Sequence, residues 1–356
     1  MLPANPREIL PHQPKSKSPT IRDIAERIGI SKSAVSLALR DDPRVASQTR
    51  KRVLKAAEQM GYTKNPTLAH LMAELRNSRV TTIKATLAAV NCSPNPDIFE
   101  WHTFRDFREG AIQRASQLGY GMDAFWLYEK DMRIERIQQI IRARNISGIL
   151  FFAANNVDVL HDIYEPLWRS FPAATVGLVK TNPALTCVAC DHFQTSKEAV
   201  EQALKLGYKR PGLVVAPDLD DLVDKRFSGG YLAAISGLPK KNQLQVHSSD
   251  LIHLENFRKW FQRNKPDVIL SVHDVVHEWL TEMKLNIPKD VGLIHLDWRE
   301  DIPEWAGMKQ DNIAAGSSLV DLVVNKIHHN ERGAQTTPTV TLIESHWIDG
   351  DTVTKQ

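Results

Sequence analysis

Lys32, Ser33, Ser36 and Leu37 share one side of residues 31–39, and Ala34, Val35, Ala38 and Leu39 share the other. At 3.6 residues per turn the first group forms an outward face with one ammonium, two hydroxyls and one apolar patch. Base-pair edges in a major groove accept that chemistry; Leu37 adds apolar contact of the kind a thymine methyl takes. Ser31 stands where it can cap this helix, and Thr20, Thr49 and Arg50 flank it with groups suited to phosphate oxygens. Arg50, Lys51, Arg52 and Lys55 give the following segment a basic surface. The charge distribution agrees: residues 1–79 hold 15 Lys and Arg against 7 Asp and Glu, a net +8, whereas the remainder nets −5. Basic charge gathered in one segment is the footprint of a polyanionic partner.

The elements that must carry these groups are three short helices. Ile21, Ile24, Ala25 and Ile28 recur at helical spacing; Thr20 can cap that helix, with Asp23 as its capping-box partner. Gly29 ends it, since the turn needs a residue that tolerates positive φ. Ala25 and Val35 are small, as two steeply crossing helices require where their backbones approach. A third helix opens with Ser47 as cap, carries Val53, Leu54, Ala57 and Met60 as its apolar stripe, and stops at Gly61. Residues 1–18, rich in Pro, Lys and Ser and lacking an apolar run, read as a disordered arm rather than a signal peptide. Residues 65–79 read as a hinge, with Asn65 as cap and Pro66 at the first position of a helix too short to be stable alone.

Thr20-Ile-Arg-Asp-Ile-Ala, Gly29-Ile-Ser-Lys-Ser-Ala-Val-Ser, Val45-Ala-Ser-Gln-Thr-Arg, Gly61-Tyr62 and Asn65 together resemble the headpiece of the lactose-repressor (LacI/GalR) family. The resemblance implies a helix-turn-helix domain over 19–64 that reads duplex DNA as a homodimer on a near-palindromic operator. It also implies a hinge helix that folds on the DNA, with Leu71 at the position of the minor-groove wedge and Asn65, its cap, among the DNA-binding residues. Lys64-Asn65-Pro66 departs from the more usual Pro-Asn order.

From residue 80 the period changes. Strand-like runs at 85–90, 122–127, 148–153, 174–179, 212–216, 268–272 and 291–296 alternate with helical stretches at 104–118, 132–142, 196–206, 227–235, 257–262 and 275–283. Such alternation predicts parallel sheets covered by helices, arranged as two α/β lobes in sequence with a ligand cleft at the carboxyl ends of the strands. The candidate cleft residues are Arg226, whose guanidinium offers a fixed fork; His273 and Asp274 after one strand; Asp297 and Trp298 after another; and Trp101 and His102 in the loop after the first. Carboxylates accept from sugar hydroxyls, and aromatic faces cover sugar C–H patches. The family resemblance extends loosely through this region and implies a sensor like a periplasmic sugar-binding protein, with Arg226, His273 and Asp297 at effector-touching positions and Asp274 stabilising its loop. Histidine at 273, where the family tends to carry an amide, implies an atypical ligand.

Other motifs carry less. His273-Asp-Val-Val-His277 has the spacing of a zinc helix, but an aspartate stands where the general-base glutamate belongs. Cys187 and Cys190 lie in a strand-like segment, where i and i+3 point to opposite faces, and read as core residues; three cysteines give no disulfide framework. No Gly-rich phosphate loop and no nucleophile elbow is present, so neither an enzyme nor a cofactor is expected. No apolar run reaches the ~20 residues a bilayer needs. The expectation is a cytoplasmic regulator, nucleoid-associated when bound to its operator, whose grip on DNA answers to a small molecule, a carbohydrate by family habit. An α/β enzyme with a DNA-binding head and a constitutive DNA binder with a vestigial sensor are the rival readings.

Overall fold

A computed structural model describes residues 21–39, 45–60, 85–130, 132–152, 164–178, 185–248, 253–333, 335 and 337–356. The arm at 1–18, Thr20 with its cap, and the hinge with Asn65 and Leu71 lie outside the described residues. The chain divides into two compact units, Met1–Thr81 and Thr82–Gln356.

The first unit holds α1 (Ile21–Ile28), α2 (Lys32–Leu39) and α3 (Ser47–Gln59). Gly29 has φ +70° and donates from its backbone N–H to the Ala25 carbonyl at 3.0 Å, closing α1. Ser31 Oγ accepts from the Ala34 N–H at 3.1 Å and caps α2. Ile24, Ala25, Val35, Ala38, Val53, Ala56 and Ala57 are buried together. Two expectations are corrected. Ser47 lies inside α3, whose cap residue is Ala46 with no side-chain bond. Leu54 is half exposed and Ala56 takes its place inside, because the face turned to α1 and α2 is one step round the helix from the stripe expected.

The second unit follows, strand and helix alternating: β1 (Ala85–Asn91), α4 (His102–Gln117), β2 (Tyr120–Trp126), α5 (Ile134–Ala143), β3 (Ile146–Phe152), α6 (Glu165–Ser170), β4 (Ala173–Val176), β5 (Cys187–Cys190), α7 (His192–Leu206), β6 (Pro211–Val214), α8 (Pro217–Leu222), α9 (Arg226–Ile235), α10 (Leu254–Asn264), β7 (Val268–Ser271), α11 (Val275–Glu282), β8 (Gly292–His295), β9 (Ala306–Lys309), α12 (Asn312–His329), β10 (Val340–Ile343) and β11 (His346–Ile348). They form one sheet in the order β10-β5-β4-β3-β1-β2 and a second in the order β11-β9-β8-β7-β6. Among the described residues all strand pairings are parallel except β11 with β9. Each sheet is apolar on both faces, hence its unbroken Val/Ile/Leu runs.

The lobes are not successive in sequence, contrary to expectation. The chain crosses between them after β5, returns after β9 through α12, which packs on the first lobe, and crosses again between β10 and β11. The crossings are tied together. Asp191 donates its N–H to the Ile343 carbonyl at 2.8 Å, Thr195 Oγ1 meets Ser345 Oγ at 2.8 Å, and Cys190 Sγ lies 3.3 Å from Asn312 Oδ1. At the first two crossings an aspartate caps the next helix: Asp191 accepts from the Gln194 N–H and Asp311 from the Ala314 N–H. Glycines let the helices meet there. A Cβ on Gly110 of α4 would strike the Ile313 carbonyl oxygen, and one on Gly230 of α9 the Phe193 carbonyl oxygen.

Candidate nucleic-acid interface and ligand cleft

On the head, Lys32 opens α2 and is exposed, and Leu37 is half-buried. Ser33 and Ser36 occupy the intended positions on α2, but their side chains lie outside the described set. Ser31 keeps its hydroxyl oxygen on its own helix as a cap. Arg50 is half-buried and sends Nη2 to the Val45 carbonyl at 3.3 Å; Thr49 is also half-buried. Arg52 reaches back to the Ile28 carbonyl at 3.3 Å, while Lys51 and Lys55 are exposed. Among the described residues, Lys32, Lys51 and Lys55 therefore present the exposed ammonium groups of this surface.

In the second unit a chamber of about 690 Å³ lies between the lobes at the carboxyl ends of the strands. Trp101, His102 and Phe104 at the start of α4 contribute from the first lobe; Phe227, Asp274, Asp297 and Arg299 contribute from the second. A second compartment of about 640 Å³, lined by Trp298, Glu300, Lys309 and Asp311 among others, shares His102, Asp297 and Arg299 with the first. His102 Nε2 and Asp297 Oδ2 meet at 2.6 Å and join the two lobes across the cleft. Burial would raise the Asp297 carboxyl, but the bond from His102 and the imidazoles of His102, His295 and His192 around it outweigh that effect and hold it below the usual carboxylate range. It is an acceptor only.

A ladder of polar groups braces Asp297 from behind. Its N–H donates to His295 Nδ1 at 3.2 Å, so His295 carries its proton on Nε2, which stands 3.1 Å from Asp274 Oδ1. Arg299 Nη2 donates to Asp274 Oδ2 at 2.7 Å and its Nε to Asp301 at 3.1 Å. The His295 and Arg299 bonds hold the Asp274 carboxyl far below its ordinary range, against the opposing effect of partial burial.

Three expected cleft residues do not line the first chamber. Arg226 Nη1 pairs with Asp191 Oδ1 at 3.7 Å, tying α9 to the first crossing, and it is absent from the chamber lining. His273 accepts the Ala216 N–H on Nε2 at 3.0 Å and so fixes the end of the β6 loop; burial, with His295 nearby, lowers its pKa to about 4, despite Asp218 and Asp274. Trp298 donates Nε1 to the Trp305 carbonyl at 2.9 Å and faces only the second compartment. His277, four residues after His273, stacks on Trp305 with ring centroids 4.9 Å apart, so the two histidines serve different neighbours.

Sequence reasoning missed His192 and Arg299. His192 follows the capping Asp191, lies against Phe227 with ring centroids 4.8 Å apart, and lines the chamber. Burial lowers its pKa to about 4, so the ring is neutral near pH 7, and among the described residues its buried Nδ1 has no hydrogen-bond partner. Arg299 stands two residues beyond Asp297, and a charged pair at the end of a buried strand was the available signal.

A helix-turn-helix head and a two-lobed α/β unit of parallel strands with a cleft between its lobes are the class this fold defines. Residues 20–65 match the family described as "Bacterial regulatory proteins, lacI family". The NTD biosynthesis operon regulator NtdR of Bacillus subtilis (strain 168) is 20% identical over 289 residues, 78% of this chain and 82% of that protein. The HTH-type transcriptional regulator MalR of Staphylococcus xylosus is 22% identical over 284 residues, 76% of this chain and 79% of that one. The structure of the lac repressor dimer bound to operator and the anti-inducer ONPF is 18% identical with a TM-score of 0.56, over 95% of this chain and 100% of that one. The CelR–cellobiose complex has a TM-score of 0.57 at 18% identity, over 94% and 99%. Residues 20–65 thus match a lacI-family head, and the chain is similar over most of its length to transcriptional regulators. No helix among the described residues is long and apolar enough to cross a membrane.

Proposed function

We propose that the chain is a cytoplasmic, sequence-specific repressor that binds a near-palindromic duplex operator as a homodimer and whose affinity is set by a small-molecule effector, a carbohydrate, held between the sensor lobes. Residues 19–64 act as reader, 65–79 as hinge and 80–356 as sensor. Lys32, Ser33, Ser36 and Leu37 face base edges, while Thr20, Ser31, Thr49, Arg50 and Asn65 serve the DNA backbone and its approach; Leu71 is the minor-groove wedge. Two-fold DNA matches two-fold protein.

The observation that carries the sensor half is the chamber closed from both lobes by the 2.6 Å His102–Asp297 bond. A ligand that binds one lobe arrangement better than another shifts the equilibrium between them by its differential affinity and no more. The lac repressor structure named above carries operator and the anti-inducer ONPF, and the CelR structure carries cellobiose. These precedents favour an operator and a sugar here.

A genomic selection for bound DNA, followed by a thermal-shift screen of mono- and disaccharides and operator titrations with each hit, tests the reading. A defined operator whose affinity changes with a sugar is expected. Turnover of the sugar would instead favour an enzyme with a DNA-binding head, and an operator affinity indifferent to every compound would favour a constitutive binder.

A further inference from the structure

The charge and apolarity of the chamber narrow the ligand beyond carbohydrate. Its walls are dominated by Phe104, Phe107, Leu178, Leu219, Leu222 and Phe227, which come from both lobes. Phe107 and Phe227 are almost wholly buried and the others half-buried, so they form a shaped apolar surface rather than a solvated rim. Bare sugars present hydroxyls on every edge and would leave most of that wall unmatched. Burying apolar ligand surface against it contributes roughly 25 cal/mol per Å².

Its charged groups are mostly acidic. Four carboxylates line the chamber, Glu100, Asp274, Asp297 and Asp301, against two guanidiniums, Arg105 and Arg299. Arg299 holds Asp274 and Asp301, and Arg105, whose side chain is 61% exposed, gives its Nε to Asp106 at 3.2 Å. The nearby Arg226 is paired with Asp191. An anionic ligand would therefore enter a site in which carboxylates outnumber guanidiniums. Asp297 can only accept hydrogen bonds, and a carboxylate has room for several donors beyond His102. The unpartnered His192 Nδ1 adds one neutral polar group beside the Phe227 ring. Trp101, 57% exposed, borders the same chamber and offers a face for a ring.

We propose that the effector is an uncharged or cationic glycoside bearing an apolar substituent: its hydroxyls or amine donate to Asp297, its substituent fills the Phe104–Leu222–Phe227 chamber, and phosphorylated and uronic sugars are rejected. This rests on the sensor reading above and specifies the ligand for the same cleft.

The test uses the full chain and isothermal titration with common hexopyranoses, each offered as free sugar, phenyl glycoside, 2-amino sugar and 6-phosphate. At least one phenyl glycoside should bind tenfold or more tightly than its parent sugar, its amino counterpart at least as well as the parent, and its phosphate tenfold or more weakly. In Asp297→Asn the phosphate penalty should shrink while the gain from the phenyl group persists. A phosphate that binds as well as its parent sugar, or a phenyl group that adds nothing, overturns the proposal and leaves the sensor reading intact. If no compound of any class binds, both fall.

Discussion

Replacing His273 separates a loop-holding histidine from a ligand contact. In the fold its Nε2 accepts the N–H of Ala216, which is 4% exposed and therefore has little access to water. His273→Ala leaves that donor unsatisfied, at a cost of ~1–3 kcal/mol in unfolding free energy. His273→Gln can offer Oε1 in nearly the same place and should recover most of the loss. The substitution also has a pH signature. His273 titrates near 4 in the fold against an ordinary 6.5, because burial and His295 disfavour its charged form. The unfolded chain then binds the extra proton first, so the neutral-histidine contribution is complete above pH 6.5 and is lost as pH falls toward 4. Between about pH 7.5 and 5 the wild type should lose about 2 kcal/mol through this group, and His273→Gln should be spared that share. Urea denaturation of wild type and His273→Gln at both pH values measures the difference directly. Parallel pH dependence in the two proteins would refute the bond and its depressed titration, as would a stable His273→Ala. His273→Gln should also retain its response to effector.

Further consequences follow from other contacts. His192→Gln should likewise reduce the acid sensitivity between about pH 6.5 and 4, since burial lowers that ring to about 4, and thermal midpoints across the range would show it. Gly230→Ala places a methyl against the Phe193 carbonyl where α9 meets α7, and overpacking against backbone should cost about 1–3 kcal/mol or more, read by urea midpoint. His102→Ala removes the inter-lobe bond, whose partners are 33% and 16% exposed; with solvent screening its stabilisation is about 1 kcal/mol, and amide hydrogen exchange at the start of α4 and the end of β8 should quicken several-fold. Lys32→Ala should weaken binding to the selected operator and relax its base preference, whereas Lys51→Ala should weaken all DNA alike and flatten the salt dependence; quantitative binding to operator and scrambled duplex separates the two.

Much of the architecture was legible because buried parallel strands and amphipathic helices each leave their own period. β1, β3, β7 and β8 and the helices between them lie within a few residues of the apolar runs that suggested them. Connectivity was less legible. The sheet a strand joins depends on where α12 packs, and Ala315, Leu319, Val320 and Val323 would look the same against either lobe. The cleft was read in part. Trp101, His102, Asp274 and Asp297 do line the main chamber, since strand ends on one side of a sheet converge whatever the loops do. Loop geometry decided the rest: one turn aims Trp298 at the Trp305 carbonyl, and another spends His273 on a backbone amide. His192 escaped notice because a histidine at the second residue of a crossing has no periodicity to betray it. Leu54 shows the same limit in the head, where an apolar residue at the edge of a stripe falls on either side of the burial line.

The most direct measurement is the affinity of the full chain for its selected operator, with and without the tightest compound from the binding panel, in wild type and in Asp297→Asn. If occupancy of the space between the lobes governs the reader, the compound shifts wild-type affinity at least tenfold and leaves the Asp297→Asn protein nearly unmoved at the same concentration. An equal shift in both proteins, or none in either, would contradict the account.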